Sequence, residues 1–228
     1  MTYSKLAREM LEPIGGAKKH NLNSILKIKD KRSDTENAFL PAGYHDIDSF
    51  IRHIKLKKQT KFVTLSLNIE SISAKFNKLT AFLETLSEEN CFIDAIIIQE
   101  SWLSDEDCKG DTIKLFSIPG YQTIAQGRKC GRKGGLIIYL REHYTYEMRD
   151  LYQTSVDWEG QFIDITHINK EKLTPKITLA NIYRPPRDNY SDKSIDKFIK
   201  PISDIILILS KETSTIITGG DFNIDLLK

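Results

Sequence analysis

The feature that most constrains this chain is a change of hydrophobic period within one short stretch. Residues 72–86 place Ile72, Phe76, Leu79, Phe82, Leu83 and Leu86 at offsets 0, 4, 7, 10, 11 and 14, one face of a helix. Seven residues later, Ile93 to Gln99 reads IDAIIIQ, a continuous apolar run. A strand reads that way when both of its faces are covered. The segment before the helix, FVTLSLNI at 62–69, alternates and is rich in β-formers. Strand, amphipathic helix and doubly covered strand together imply a layered α/β fold.

The rest of the chain extends this reading. Further strands are expected at Tyr121–Gln126, Leu136–Leu140, Tyr144–Arg149, Gln161–Ile168, Lys176–Tyr183 and Thr215–Thr218. A second helix is expected over Ile195–Leu209, with apolar residues at offsets 0, 3, 4, 7, 10, 11 and 14. Pro201 lies inside it and should break or kink it, because proline removes a backbone donor and its ring crowds the preceding turn. Many strands and few helices suggest two mixed sheets packed face to face with helices outside. Upstream, Ile47, Phe50, Ile51 and Ile54 recur at helical spacing within Tyr44–Lys55, with Asp46 or Asp48 available as a cap. The expected organisation is a leader or linker at 1–43, a short amphipathic helix and connector at 44–60, and one domain from 61 to 228.

Composition excludes several classes. At 40% apolar and 28% charged, with a net charge of +2, the chain is neither a mainly disordered nor a collagen-like sequence. Its longest apolar runs, such as Ile205–Leu209, are far shorter than the roughly 20 residues of a membrane helix. The N-terminus MTYSKLAREM has no apolar signal core, so an intracellular protein with no membrane association is expected. Cys91, Cys108 and Cys130 are dispersed with no CxxC pair, which argues for reduced thiols rather than a zinc site or a disulfide framework. Residues 1–60 hold twelve Lys/Arg against seven Asp/Glu, while the remainder is slightly acidic. The basic leader is a solvated tail or an aid to phosphate binding.

Polar residues gather where the expected strands end: Asn68, Gln99-Glu100, Asn181 to Tyr183, and Asp221 with Asn223. Strand ends put side chains outside the core on a rigid frame. Carboxylates and carboxamides there suit Mg²⁺, a hard cation that takes oxygen ligands and that polarises a phosphoryl oxygen for attack by water. Each residue also has a plain structural explanation. Asn68 can cap the following helix, Glu100 can be solvated after its strand, and Asp221 and Asn223 can shape a turn.

Five ordered blocks carry a resemblance: SLNIESI (66–72), IIIQESWL (96–103), RKGGLIIYL (132–140), NIYRPP (181–186) and GDFNIDLL (220–227). Their order and spacing resemble the endonuclease/exonuclease/phosphatase superfamily, and most closely the apurinic-type endonuclease domain of non-LTR retrotransposons. The resemblance covers Lys61–Lys228 and implies a four-layer α/β sandwich, two mixed β-sheets with outer helices. It implies Mg²⁺-dependent hydrolysis of a DNA phosphodiester, with Mn²⁺ as an alternative ion, leaving a 3′-hydroxyl that primes reverse transcription. By the same resemblance Asn68 and Glu100 organise the metal, Tyr183 contacts the scissile phosphate, Asp221 orients or deprotonates water, and Asn223 holds the phosphate. A nuclear, monomeric protein follows from that likeness. The basic loop Arg128, Lys129, Arg132 and Lys133 is a weak candidate for the DNA backbone, or a solvated hairpin tip.

The blocks depart from the family in three ways. Ile69-Glu70-Ser71 stands where an arginine is usual. The glycine cluster before LIIYL is one residue short, with Lys133 in place of a glycine. The family's final Asp and Asp–His blocks have no counterpart after Asn223, and His20, His45, His53, His143 and His167 do not replace them by motif. The expectation is therefore a sandwich incomplete at its C-terminal end and nearly inactive, or a non-catalytic relic. A phosphatase of lipid or inositol phosphates is the third reading.

Overall fold

The computed structural model describes residues 47–57, 62–128, 133–149, 157–167, 177–186, 192–212 and 215–224. The expected leader at 1–43 lies outside them. In chain order the elements are helix α1 (Ile47–Lys57), β1 (Thr64–Asn68), α2 (Ile72–Glu88), β2 (Ala95–Gln99) and α3 (Asp105–Lys109). A 3-10 turn (Thr112–Phe116), β3 (Tyr121–Gln126), β4 (Leu136–Arg141), β5 (Tyr144–Met148) and β6 (Glu159–His167) follow. The described elements end with β7 (Ile177–Tyr183), α4 (Asp192–Glu212) and β8 (Thr215–Asp221).

The strands form two mixed sheets, ordered β1-β2-β4-β3 and β5-β6-β7-β8. Each contains one parallel pair, β1 with β2 and β7 with β8, and is otherwise antiparallel. Side-chain alternation sorts each strand between two layers. Ala95 and Ile97 of β2 face the second sheet and meet Ile138, Leu140, Ile163, Ile165 and Leu179. Ile96 and Ile98 face the other way, into a cluster with Ile72, Leu79 and Leu86 of α2. On the far side, Ala180 and Ile182 of β7 pack with Phe198, Ile202, Ile205 and Leu209 of α4. The result is the expected α/β sandwich of helices, sheet, sheet and helix. The continuous apolar run of β2 is explained: all five of its residues are buried.

Local chemistry sets the helix boundaries. Ser71 caps α2, its hydroxyl accepting from the Ala74 N–H at 3.3 Å. Helix α3 was not among the expected elements, yet Ser104 and Asp107 form a reciprocal capping box there. Helix α1 lays Phe50 against Phe82 of α2, with ring centroids 6.2 Å apart.

Pro201 does not break α4. The helix runs from Asp192 through Glu212 with the proline inside. One backbone bond is lost, but the apolar stripe on both sides of Pro201 is buried against the sheet, and tertiary packing outweighs that loss.

Candidate active site

The space between the sheets changes character along its length. At one end it is filled by aliphatic side chains around Ile97. Toward the C-terminal ends of β1, β2, β7 and β8 it becomes polar. Asn181 of β7, fully buried, crosses between the sheets: its amide donates to the carbonyls of Ile98 (3.0 Å) and Ile137 (3.2 Å). Its oxygen accepts from Gln99 Nε2 at 2.8 Å, and Gln99 also donates to Ser66 Oγ at 3.3 Å. This amide layer closes the floor of the site.

Above it, four of the expected residues share one hydrogen-bonded cluster. Asn68 Nδ2 donates to Glu100 Oε1 at 3.0 Å and to Asp221 Oδ2 at 2.6 Å. The Tyr183 hydroxyl donates to the same Glu100 Oε1 at 3.1 Å. Trp102 Nε1 donates to Glu100 Oε2 at 3.2 Å. Register explains most of this convergence, because Asn68 pairs with Gln99 across one sheet end and Tyr183 with Asp221 across the other.

Glu100 needs a further device. Simple alternation would send it to the helix face with Ile96 and Ile98. Its φ of 55° turns the chain, and the carboxylate returns to the gap between the sheets. Positive φ also occurs at Glu70, Ser71, Trp102, Gly134, Gly135 and Asn223. These six lie on the loops that rim the cluster, while Asn90 and Gly120 carry positive φ elsewhere.

Asn223 sits beside the cluster. Its N–H donates to Asp221 Oδ1 at 3.1 Å, while its amide donates to the Arg184 carbonyl at 2.7 Å. Asn68 is not the cap of α2; its Oδ1 accepts from the Glu70 N–H at 3.3 Å, and Ser71 takes the cap. Glu70, at the position where the family has arginine, pairs with Lys75 at 3.4 Å. Of the basic loop, Arg128 bonds the Trp102 carbonyl through its guanidinium, and Lys133 is exposed. Lys129 and Arg132 lie outside the described residues. His143 is on the β4–β5 hairpin at the opposite end of the sheets.

Three site-end residues have no role assigned from the sequence, although Asn181 lies at an expected strand end. Asn181 forms the floor. Arg184 is buried and donates to the carbonyls of Phe222 and Asn223 at 3.4 and 3.2 Å. Glu159, also buried, accepts from the Gly135 N–H at 2.7 Å and pairs in register with Tyr183. The blocks NIYRPP and RKGG contained the signal for two of these, since an arginine and a glycine pair at strand ends need a buried partner.

Electrostatically the mouth is acidic. Burial, then the neighbouring Glu100, Asp221 and Glu159 carboxylates, push the Tyr183 phenol far above its ordinary range. Tyr183 therefore stays a neutral donor. Glu100 is only 4% exposed. Among the described residues, no cationic side chain bonds or ion-pairs with Glu100 or Asp221. The Glu100 and Asp221 carboxylates, bridged by the Asn68 amide NH2, offer hard oxygen donors of the kind that Mg²⁺ accepts, with the remaining positions going to water. Glu100 is buried and Asp221 half-buried, and like charges this close repel, so a divalent ion fits this donor set.

No family model matches the chain, and no curated protein does. Solved structures do match. The human nocturnin catalytic domain with bound sulfate aligns at a TM-score of 0.51 and 14% identity, over 72% of this chain and 65% of that one. ANGEL2, a 2′,3′-cyclic phosphatase, in complex with adenosine-2′,3′-vanadate, aligns at 0.50 and 15%, over 73% and 54%. The present chain thus spans about half to two thirds of the structures it matches. The likeness establishes the fold: the chain has the two-sheet α/β sandwich of these structures.

Proposed function

We propose that this chain is a divalent-metal-dependent phosphodiester hydrolase, and specifically the DNA-nicking endonuclease domain of a non-LTR retrotransposon-type protein. The observation that carries the reading is the Glu100–Asn68–Asp221 cluster. It places two carboxylates on one amide, beside a neutral phenol, at the strand ends of a two-sheet sandwich. The narrower assignment to DNA and to a retroelement rests on the five sequence blocks.

Glu100 and Asn68 would hold Mg²⁺, or Mn²⁺. When bound, the ion polarises the phosphoryl oxygen and screens developing charge. The protein's own groups supply the rest. Asp221 accepts a proton from the attacking water, and Asn223 fixes the loop that carries Asp221. Tyr183 donates its hydrogen bond to a non-bridging phosphate oxygen in place of Glu100. Water oxygen bonds to phosphorus and the P–O3′ bond breaks. The leaving oxygen takes a proton from solvent water and becomes the 3′-hydroxyl, and the phosphate stays on the 5′ side. Catalysis of this kind rests on placed charges acting as a set.

A second reading, nucleic-acid binding with little turnover, is favoured by one observation. Among the described side chains no histidine faces the mouth, so the 3′ oxygen lacks a described proton donor. Supercoiled plasmid with millimolar Mg²⁺ tests both readings. Slow nicking that Asp221→Ala abolishes supports the hydrolase. Plasmid binding without nicking supports the second reading. Release of phosphate from an inositol phosphate in place of nicking would redirect the assignment to a phosphatase of the same fold.

A further inference from the structure

Trp102 is unusual among the residues around the cluster. Its indole Nε1 is committed to Glu100 at 3.2 Å. Its N–H donates to the Gly134 carbonyl at 2.9 Å, and its carbonyl accepts from the Arg128 guanidinium. Its φ is 63°, a conformation that a bulky residue adopts only when its surroundings enforce it. Yet its side chain is not packed away: the residue is 37% exposed, while Leu103 beside it is buried. Three contacts thus fix the backbone and ring edge of an aromatic whose remaining surface is open.

The clamp is itself built. Ser101 N–H donates to the Gly135 carbonyl at 3.0 Å, so two successive bonds tie 101–102 to the glycine pair. That pair has φ of 102° and 83°, and a Cβ at Gly134 would lie 2.5 Å from Glu159 Oε1. Glu159 then holds the Gly135 N–H from behind. Phe222, the other exposed aromatic next to a site carboxylate, differs. Its ring lies 5.6 Å from Phe198 and is occupied by that contact.

We infer that Trp102 is a stacking platform for an unpaired nucleobase adjacent to the phosphate that Tyr183 contacts in the hydrolase reading. The inference deepens the hydrolase reading and rests on it for the position of the phosphate. A phosphodiester there brings its flanking base within reach of the nearest side chains. Every base has a π-face, and an aromatic with a fixed edge and an open surface accepts one without sequence preference. Fixing the ring in advance lowers the ordering cost of binding.

The test measures binding of a short oligothymidylate and of an abasic strand with the same number of phosphates, by anisotropy of an end label, in EDTA and in Mg²⁺. The wild-type chain is expected to prefer the base-bearing strand by roughly tenfold or more. Trp102→Ala should abolish the preference, so that the base-bearing and abasic strands bind alike. Trp102→Phe should retain most of the preference, because the ring persists without the N–H. Far-UV circular dichroism and melting confirm that each variant is folded. Equal affinity of the wild type for both strands, a preference that survives in Trp102→Ala, or no binding of either strand would overturn the inference. The two readings fail separately. A base preference in EDTA with no Mg²⁺ response and no nicking keeps the platform and removes the hydrolase. An Mg²⁺ response without a base preference does the reverse.

Discussion

The two ends of the inter-sheet space are built from the same strands and do opposite things. At the closed end, Ala95, Ile97, Ile138, Leu140, Ile163, Ile165 and Leu179 fill the gap with side chains that need no partner. At the open end the inward positions of the same strands become Gln99, Asn181, Tyr183 and Asp221, and nearly every one is hydrogen-bonded to a residue distant in sequence. The closed end stabilises by burying apolar surface, at about 25 cal/mol per Å². The open end stabilises little, because like-charged carboxylates sit together, and it keeps its geometry through strained turns. Stability and chemistry are thus segregated along one axis.

The largest expected effect comes from exchanging the roles of the two ends. Ile97→Ala leaves a cavity at a fully buried position and should cost about 2–5 kcal/mol. Asn181→Leu, in the amide floor, should cost about 1–3 kcal/mol, because it removes three inter-sheet bonds and leaves the Ile98 and Ile137 carbonyls without this side-chain donor. Urea unfolding of both variants measures the contrast. An Asn181→Leu loss as large as that of Ile97→Ala would show that the polar floor is as important to folding as the aliphatic core.

A smaller effect concerns pH. The Tyr183 phenol is raised above its ordinary 10.0 by burial and then by carboxylates, and Tyr139 is raised by burial. The folded state therefore holds these protons more tightly than the unfolded chain. Stability from this source is complete below the ordinary phenol value and declines as pH rises through the folded values. Tyr183→Phe should flatten part of the alkaline decline in melting temperature. An unchanged alkaline slope would mean that Tyr183 is not held neutral by its surroundings.

The layers were legible in the sequence because hydrophobic period is a local signal. β2 reads as doubly covered from its own residues, and α2 from its own spacing. Thr215–Thr218 was read too short; β8 runs on through Gly219-Gly220-Asp221. Those glycines look like a turn, yet a Cβ at Gly220 would sit 1.9 Å from the Ile182 carbonyl oxygen, so close strand approach requires them. The carboxylates and amides of the cluster were found through strand ends and block order. Asn181 was placed at a strand end but given no role, and Glu159 and Arg184 were not singled out, because burial of a polar residue depends on partners dozens of residues away. Nor does the sequence reveal that Glu100 turns back into the gap, which hangs on one positive φ. Only the Ser104–Asp107 capping box was a local signal left unread.

In the proposed reading, Glu100 and Asp221 form a like-charged pair that a divalent cation completes. Thermal melting with and without millimolar Mg²⁺, on the wild-type chain and on the double variant Glu100→Gln with Asp221→Asn, tests it most directly. The wild type should gain melting temperature with Mg²⁺ by mass action. Without metal, the double variant should melt higher than the wild type, because the repulsion is gone, and Mg²⁺ should leave it unmoved. A wild-type melting temperature indifferent to Mg²⁺, or an equal Mg²⁺ response in the double variant, would contradict the account.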